Sequence, residues 1–118
     1  MIYIASKLKH MDKWKKLRSK GVTFISTWID EPNYINKNSP ELVGLWEKYI
    51  KEASSAKALI AYLEPGEIMK GALVEIGAAL AHNVPVFLVG EFDGSWQVHP
   101  LCKKCGTIKE AIEEVSKL

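Results

Sequence analysis

Cysteine is scarce in this 118-residue sequence, which contains Cys102 and Cys105 and no other cysteine. Together with His99 they form the pattern H-x-x-C-x-x-C. A structural zinc site needs four ligands, usually supplied as two pairs, and the sequence offers no second pair. We therefore predict that this segment binds no metal and that both thiols stay reduced, as is usual in the cytosol.

The sequence also lacks a strong charge excess and a long apolar run. Its 16 Lys and Arg residues nearly balance 14 Asp and Glu residues, for a net charge of +2. This balance does not favour nucleic-acid binding. No apolar stretch is long enough to span a bilayer, and no basic segment followed by an apolar one marks a secretory signal. We predict a cytoplasmic protein with neither a membrane nor a nucleic-acid partner.

Common cofactor and catalytic motifs are missing as well. Neither Gly66 nor Gly71 is followed by Lys-Ser or Lys-Thr, so there is no P-loop, and no G-x-G-x-x-G follows the first predicted strand. The histidines, His10, His82 and His99, fall in predicted loops or at helix ends, which does not suggest a Ser-His-Asp arrangement. We predict that the protein uses no cofactor.

The most informative stretch that is present runs from Met69 to Gly90. Residues 71–81 are apolar or small except for Glu75, and a short polar turn leads into the wholly apolar run 84–89. This pattern predicts a buried helix followed by a strand that is covered on both faces, as in a parallel sheet flanked by helices.

Strand and helix patterns alternate along the rest of the chain. Predicted strands are 2–5, 22–25, 58–62 and 84–89, with room for a short edge strand within 91–106; predicted helices are 10–20, 39–54 with Ser39 as N-cap, 71–81, and a last one capped by Thr107; residues 33–38 are a predicted polar loop. Alternation of this kind predicts one α/β domain over residues 1–118, with a parallel sheet of four to five strands and helices on both faces.

Glu75 is the first candidate for chemistry, because a carboxylate among apolar neighbours is costly unless it is paired or functional. One interpretation is a carboxylate favoured by the helix dipole and paired with a lysine. The other is a catalytic carboxylate at the carboxyl edge of the sheet, where α/β proteins bind ligands. The residues alone leave both interpretations open.

Further candidates lie near the same predicted edge. Ser6, Lys7 and Lys70 are suited to bind a phosphate, and Gly71 at a helix start offers backbone N–H groups to a phosphate or a sugar hydroxyl. Trp28 is suited to stack on a nucleobase, and Asp30 is a possible partner acid. Each also has a simpler interpretation, as a core aromatic, a helix-packing glycine or a solvated surface charge.

Four segments give the chain a resemblance to a known family. They are Ile2-Tyr-Ile-Ala-Ser6, Ser26-Thr-Trp-Ile-Asp30, Ala58-Leu-Ile-Ala-Tyr62, and above all Gly71-Ala-Leu-Val-Glu-Ile-Gly-Ala-Ala-Leu-Ala81 followed by Val84-Pro-Val-Phe87. Over nearly its whole length the chain resembles the nucleoside 2-deoxyribosyltransferase family, particularly its small phage- and bacterium-type members. The resemblance implies a flavodoxin-like, Rossmann-like fold.

The resemblance also implies roles for individual residues. The family nucleophile, the glutamate of an E-x-G motif, corresponds to Glu75, and the tyrosine that orients it corresponds to Tyr3. The sequence departs from the family at two places. It has no acid in the segment before Gly71. In place of the aspartate that protonates the base it offers Glu47 or Glu52, of which we take Glu47, and Lys57 just before the third predicted strand.

The expected function is cleavage of the N-glycosidic bond of a 2′-deoxynucleoside or its monophosphate, with transfer to another base or to water. One alternative is a module on the same fold that binds a nucleotide or nucleotide-derived signal without turnover. A second is an interaction domain without a small-molecule site. Four tryptophans in a short chain are compatible with a homo-oligomer whose neighbouring subunit completes the pocket.

Overall fold

A computed structural model describes residues 1–31 and 37–118. The predicted loop 33–38 therefore lies outside the described residues from 33 to 36. The strands are β1 (Ile2–Ala5), β2 (Ala58–Tyr62), β3 (Val86–Val89) and β4 (Cys102–Cys105); the helices are α1 (Met11–Ser19), α2 (Ser39–Ser55), α3 (Gly71–Ala81) and α4 (Ile108–Ser116). Short 3-10 turns span Leu8–His10, Thr27–Asp30 and Ser95–Val98.

The four strands form one parallel sheet in the order β1-β2-β3-β4, which confirms the predicted fold class. Ile2 of β1 is in register with Ala58, and Leu59 of β2 with Val86. The strands β1 and β3 are fully apolar and buried, because helices cover both faces of the sheet.

Residues 22–25 do not form the predicted strand and make one isolated bridge, between Ile2 and Phe24. The reason is found at Ile4, two residues further along β1. There the Ser26 hydroxyl accepts the N–H of Ile4 at 2.6 Å, and the Trp28 indole donates to the Ile4 carbonyl at 2.7 Å. Side chains thus satisfy the backbone groups that a longer strand would have paired. The bridged segment still lies beside β1. If this segment is counted as the second of five strands along the chain, the spatial order of the sheet is 2-1-3-4-5, as in flavodoxin-like folds.

The helices divide between the two faces of the sheet. Helix α3 contacts β1, β2 and β3 and packs against α2. Helix α4 contacts β2, β3 and β4, and it shares a surface groove with α1. Right-handed crossovers that leave β1 and β2 in opposite directions account for this division.

Most helix boundaries agree with the sequence prediction. Thr107 caps α4 by accepting the N–H of Glu110 at 3.0 Å, as predicted. The cap of α2 is one residue earlier than predicted: Asn38, not Ser39, accepts the N–H of Glu41 in a capping box. No helix in the described part of the chain is long and apolar enough to cross a membrane.

The two cysteines are three residues apart on β4, so their side chains point to opposite faces of the strand. Cys105 is buried, and the Cys102 thiol faces the Trp96 carbonyl at 3.9 Å. The His99 ring accepts the N–H of Leu101. These three side chains therefore do not converge on one point.

Candidate active site

A cavity of about 160 Å³ opens at the carboxyl ends of β1 and β2. The chain leaves these two strands in opposite directions, so the cavity lies at the topological switch point, where α/β sheets bind ligands. Its walls come from the segments after β1 and β2, from the start of α3 and from α2. The lining residues are Ser6, Lys7, Leu8, Trp28, Trp46, Tyr49, Tyr62, Leu63, Met69, Lys70, Gly71, Ala72 and Glu75.

Glu75 lies in the second turn of α3 and is 7% exposed, at the cavity wall. The hydroxyl of Tyr3, a fully buried residue of β1, donates a hydrogen bond to Glu75 Oε2. Burial raises the pKa of Glu75 to about 8. The carboxyl group thus combines a fixed orientation with a protonation state that changes close to neutral pH.

Gly71 allows α2 and α3 to approach closely beside the cavity. A Cβ atom at this position would lie 2.9 Å from Cη2 of Trp46. Trp46 also packs edge-on against Tyr49, with ring centroids 5.9 Å apart. Because glycine has no side chain, Trp46 can pack directly against the start of α3 and form part of the cavity wall.

Six predicted site residues line the cavity: Ser6, Lys7, Trp28, Lys70, Gly71 and Glu75. Trp28 is buried and its indole N–H is bonded to the Ile4 carbonyl, so its ring is the part available to a ligand. Tyr3 lies behind Glu75 and reaches the site through its hydrogen bond.

The structure does not bring the other predicted residues to the cavity. Glu47 is exposed on α2 and borders a separate shallow surface groove. Asp30 is exposed and makes a two-point ion pair with Arg18 at 2.7 and 2.8 Å, which lowers the pKa of its carboxyl group. Glu52 is buried, but it accepts hydrogen bonds from the N–H and the hydroxyl of Thr27.

Sequence reasoning missed two tyrosines of the cavity wall. Tyr62 is the last residue of β2, and that position alone places it at the carboxyl edge. Tyr49 lies three residues after Trp46 on α2, and this spacing puts both rings on one face of the helix. The signals were present in the sequence, but aromatic residues at such positions are more often part of a core.

One group among residues 1–31 and 37–118 has the composition of a metal site. Ligand atoms of His10, Glu64 and Glu67 all lie within 4.8 Å of one another. Protein donors already engage them, because Lys9 Nζ lies 3.0 Å from Glu67 and the Tyr62 hydroxyl donates to Glu64 at 2.5 Å. The cluster therefore has an internal explanation that needs no ion.

No protein-family model matches the sequence, and no curated protein matches it. A search of solved structures finds the CMP N-glycosidase BcmB of Clostridium botulinum, with a TM-score of 0.56 and 14% sequence identity. The match covers 99% of this chain and 98% of BcmB. At this identity the likeness shows the fold: the whole chain has the architecture of that enzyme.

Proposed function

We propose that the protein cleaves the N-glycosidic bond of a nucleoside or nucleotide, with Glu75 as the nucleophile. The observation that carries the proposal is a buried carboxylate, oriented by the Tyr3 hydroxyl, in the wall of a cavity at the switch point of the sheet. The fold shared with a CMP N-glycosidase supports the same reaction class. The resemblance to nucleoside 2-deoxyribosyltransferases favours a 2′-deoxy sugar.

In the proposed first step, a Glu75 oxygen forms a bond to C1′ of the sugar while the bond from C1′ to the base nitrogen breaks. The electron pair of that bond leaves with the base, which takes a proton from water. The developing positive charge on the sugar is stabilised by the carboxylate. In the second step, water or another base attacks C1′ and loses a proton to the hydroxide that the first step left, while the bond between C1′ and the Glu75 oxygen breaks and the carboxylate leaves.

The aromatic and basic parts of the cavity suit the two ends of such a substrate. The rings of Trp28, Trp46 and Tyr49 offer faces and edges to a flat nucleobase. Lys7 and Lys70 line the same cavity, and neither forms an ion pair with a described residue. They provide positive charge for a 5′-phosphate.

The test is a chromatographic screen for free base. Purified protein is incubated separately with ribonucleosides, 2′-deoxynucleosides and the 5′-monophosphates of both. Release of base in water indicates hydrolysis, and formation of a new nucleoside after addition of a second base indicates transfer. Absence of base release from every substrate would reject the proposal.

A second candidate function is nucleotide binding without turnover. The cavity lining favours it, because Glu75 is the one carboxylate among the described residues there. The described lining therefore contains no second acid that could protonate the departing base. Tight binding of a nucleotide by the wild type, measured calorimetrically, together with no base release over hours would favour this candidate.

If the two lysines bind a phosphate, a 5′-monophosphate should have a KM lower than that of its nucleoside by roughly tenfold, a difference that shrinks as salt screens the charges. Lys7→Ala and Lys70→Ala should each reduce the preference, whereas Lys104→Ala on β4 should not. The measurement is KM for matched nucleoside and nucleotide pairs at two salt concentrations. Equal KM values for both substrates would contradict the assignment.

The pH dependence of the reaction should report the ionisation of Glu75. Since the ionised form is the nucleophile and burial raises its pKa to about 8, kcat/KM should rise with pH up to about 8 and level off above it. Below that point the active fraction falls about tenfold per pH unit. A profile that is flat between pH 6 and 9 would contradict this role.

A further inference from the structure

A cluster of charged side chains joins the two loops that flank the cavity mouth. His10 Nε2 lies 2.9 Å and 3.2 Å from the two carboxylate oxygens of Glu67. Lys9 Nζ lies 3.0 Å from the same carboxylate, and the backbone N–H of Glu64 donates to it at 2.7 Å. We refer to these contacts of Glu67 with His10, Lys9 and Glu64 as the loop clamp.

Within the clamp, the pair of His10 and Glu67 is largely removed from solvent, since their side chains are 8% and 7% exposed. Burial on its own raises the pKa of Glu67, but the hydrogen bonds from Glu64, Lys9 and His10 outweigh it and lower the pKa to about 2. Glu67 is therefore ionised at neutral pH and can only accept hydrogen bonds. It follows that Nε2 of His10 is the protonated ring nitrogen and that its N–H donates a hydrogen bond to Glu67.

The clamp connects two chain segments that both supply cavity wall. His10 ends the 3-10 turn that directly follows the lining residues Ser6 and Lys7. Glu67 lies in the loop between β2 and α3, and the lining residue Lys70 follows it three positions later. The clamp also reaches Tyr62, whose hydroxyl bonds Glu64 and whose ring packs edge-on against His10 at 5.2 Å.

Glu75 is held by other means. Its carboxylate is fixed by Tyr3 on β1, and its helix is anchored by the buried residues Ala72, Ile76 and Ala79. Loss of the clamp should therefore disturb the cavity mouth more than the reacting carboxylate.

We propose that His10 and Glu67 are positioning residues, which hold the two loops of the cavity mouth at a fixed separation and so set the affinity for substrate. Neither residue lines the cavity, and both act through the wall residues next to them. This inference rests on the proposed function as far as kinetics are concerned, but its structural part can be tested without any substrate.

The kinetic test compares His10→Ala with His10→Gln. Removing the donor should raise KM about tenfold while kcat changes by less than about threefold. Glutamine retains an N–H donor at the end of its side chain and should restore most of the lost affinity. Equal losses in both variants, or a loss in kcat alone, would overturn the proposal. His82→Ala is the matched control, since His82 is exposed and its ring bonds the Ala78 carbonyl of α3, its one side-chain hydrogen bond to a described residue.

The substrate-independent test is amide hydrogen exchange over residues 64–70. His10→Ala and Glu67→Ala should each speed exchange in this loop relative to the wild type, while exchange in β1 and α3 stays unchanged. The double variant should be no faster than the more affected single one, because both lose the same contact. Unchanged exchange in the loop, or additive effects, would overturn the clamp even if the protein has no glycosidase activity.

Discussion

Glu75→Gln is expected to reduce base release by about a thousandfold or more, the largest kinetic effect of any single change in this protein. Glutamine has nearly the same size and can still accept the hydrogen bond from Tyr3. It has no anionic oxygen to attack C1′ and no charge to stabilise the sugar cation, so both steps of the proposed reaction are lost together. The measurement is the rate of base release from the best substrate of the chromatographic screen.

Folding should survive this change and even benefit from it. Burial raises the pKa of Glu75 from 4.5 to about 8, so the folded state binds a proton that the unfolded state releases between these values. The wild type therefore loses stability as pH rises from about 5 to about 8. Glu75→Gln cannot titrate, and its stability advantage over the wild type should grow across this range in urea unfolding experiments.

Glu113→Gln is the matched control, because Glu113 lies in the groove between α1 and α4 on the other face of the sheet. It should leave base release unchanged. A slow 2′-fluoro-2′-deoxyribosyl substrate should leave a sugar adduct on the peptide that contains Glu75, visible by mass spectrometry. Full activity of Glu75→Gln, or an adduct on another carboxylate, would reject the assignment.

The central part of the fold could be predicted from the sequence because its signals are strong and local. The apolar run 71–81 followed by 84–89 allows one arrangement, a buried helix leading into a buried strand, and the structure has both. The segment 22–25 shows where such reasoning fails. Its composition suits a strand, but whether it extends depends on Ser26 and Trp28 reaching Ile4, a tertiary contact that periodicity does not encode.

The candidate site, like the fold, could be predicted only in part. Glu75 could be selected as a candidate because a lone carboxylate in an apolar helix is costly unless it is paired or functional, and the family resemblance predicts its contact with Tyr3, which the structure contains. Glu47 and Asp30 could not be excluded, since a helix position does not reveal its exposed side and a sequence does not show that Arg18 will pair with Asp30. The loop clamp joins Lys9 and His10 to the loop of Glu64 and Glu67, more than fifty positions later in the chain, and only the folded chain brings them together.

Gly90→Ala is expected to cause the largest loss of stability, about 2–5 kcal/mol of the free energy of unfolding. Gly90 follows β3 with φ of +122°, a conformation that side-chain-bearing residues rarely adopt. A Cβ atom there would lie 2.1 Å from the carbonyl oxygen of Leu63, which is backbone and cannot rotate away. Leu63 also donates its N–H to Val89 at 3.0 Å, so relieving the overlap would pull apart the ends of β2 and β3.

Gly77→Ala provides the control for this prediction. Gly77 is an exposed helical residue of α3, and a Cβ atom added there would meet no atom within 4 Å. Alanine should therefore stabilise the protein by about 0.5–1 kcal/mol through helix propensity. Both values follow from urea unfolding monitored by tryptophan fluorescence.

Because Leu63 lines the cavity, Gly90→Ala should also weaken nucleotide binding under conditions where it stays folded. A Gly90→Ala protein as stable as the wild type would show that β2 and β3 do not approach each other in this way.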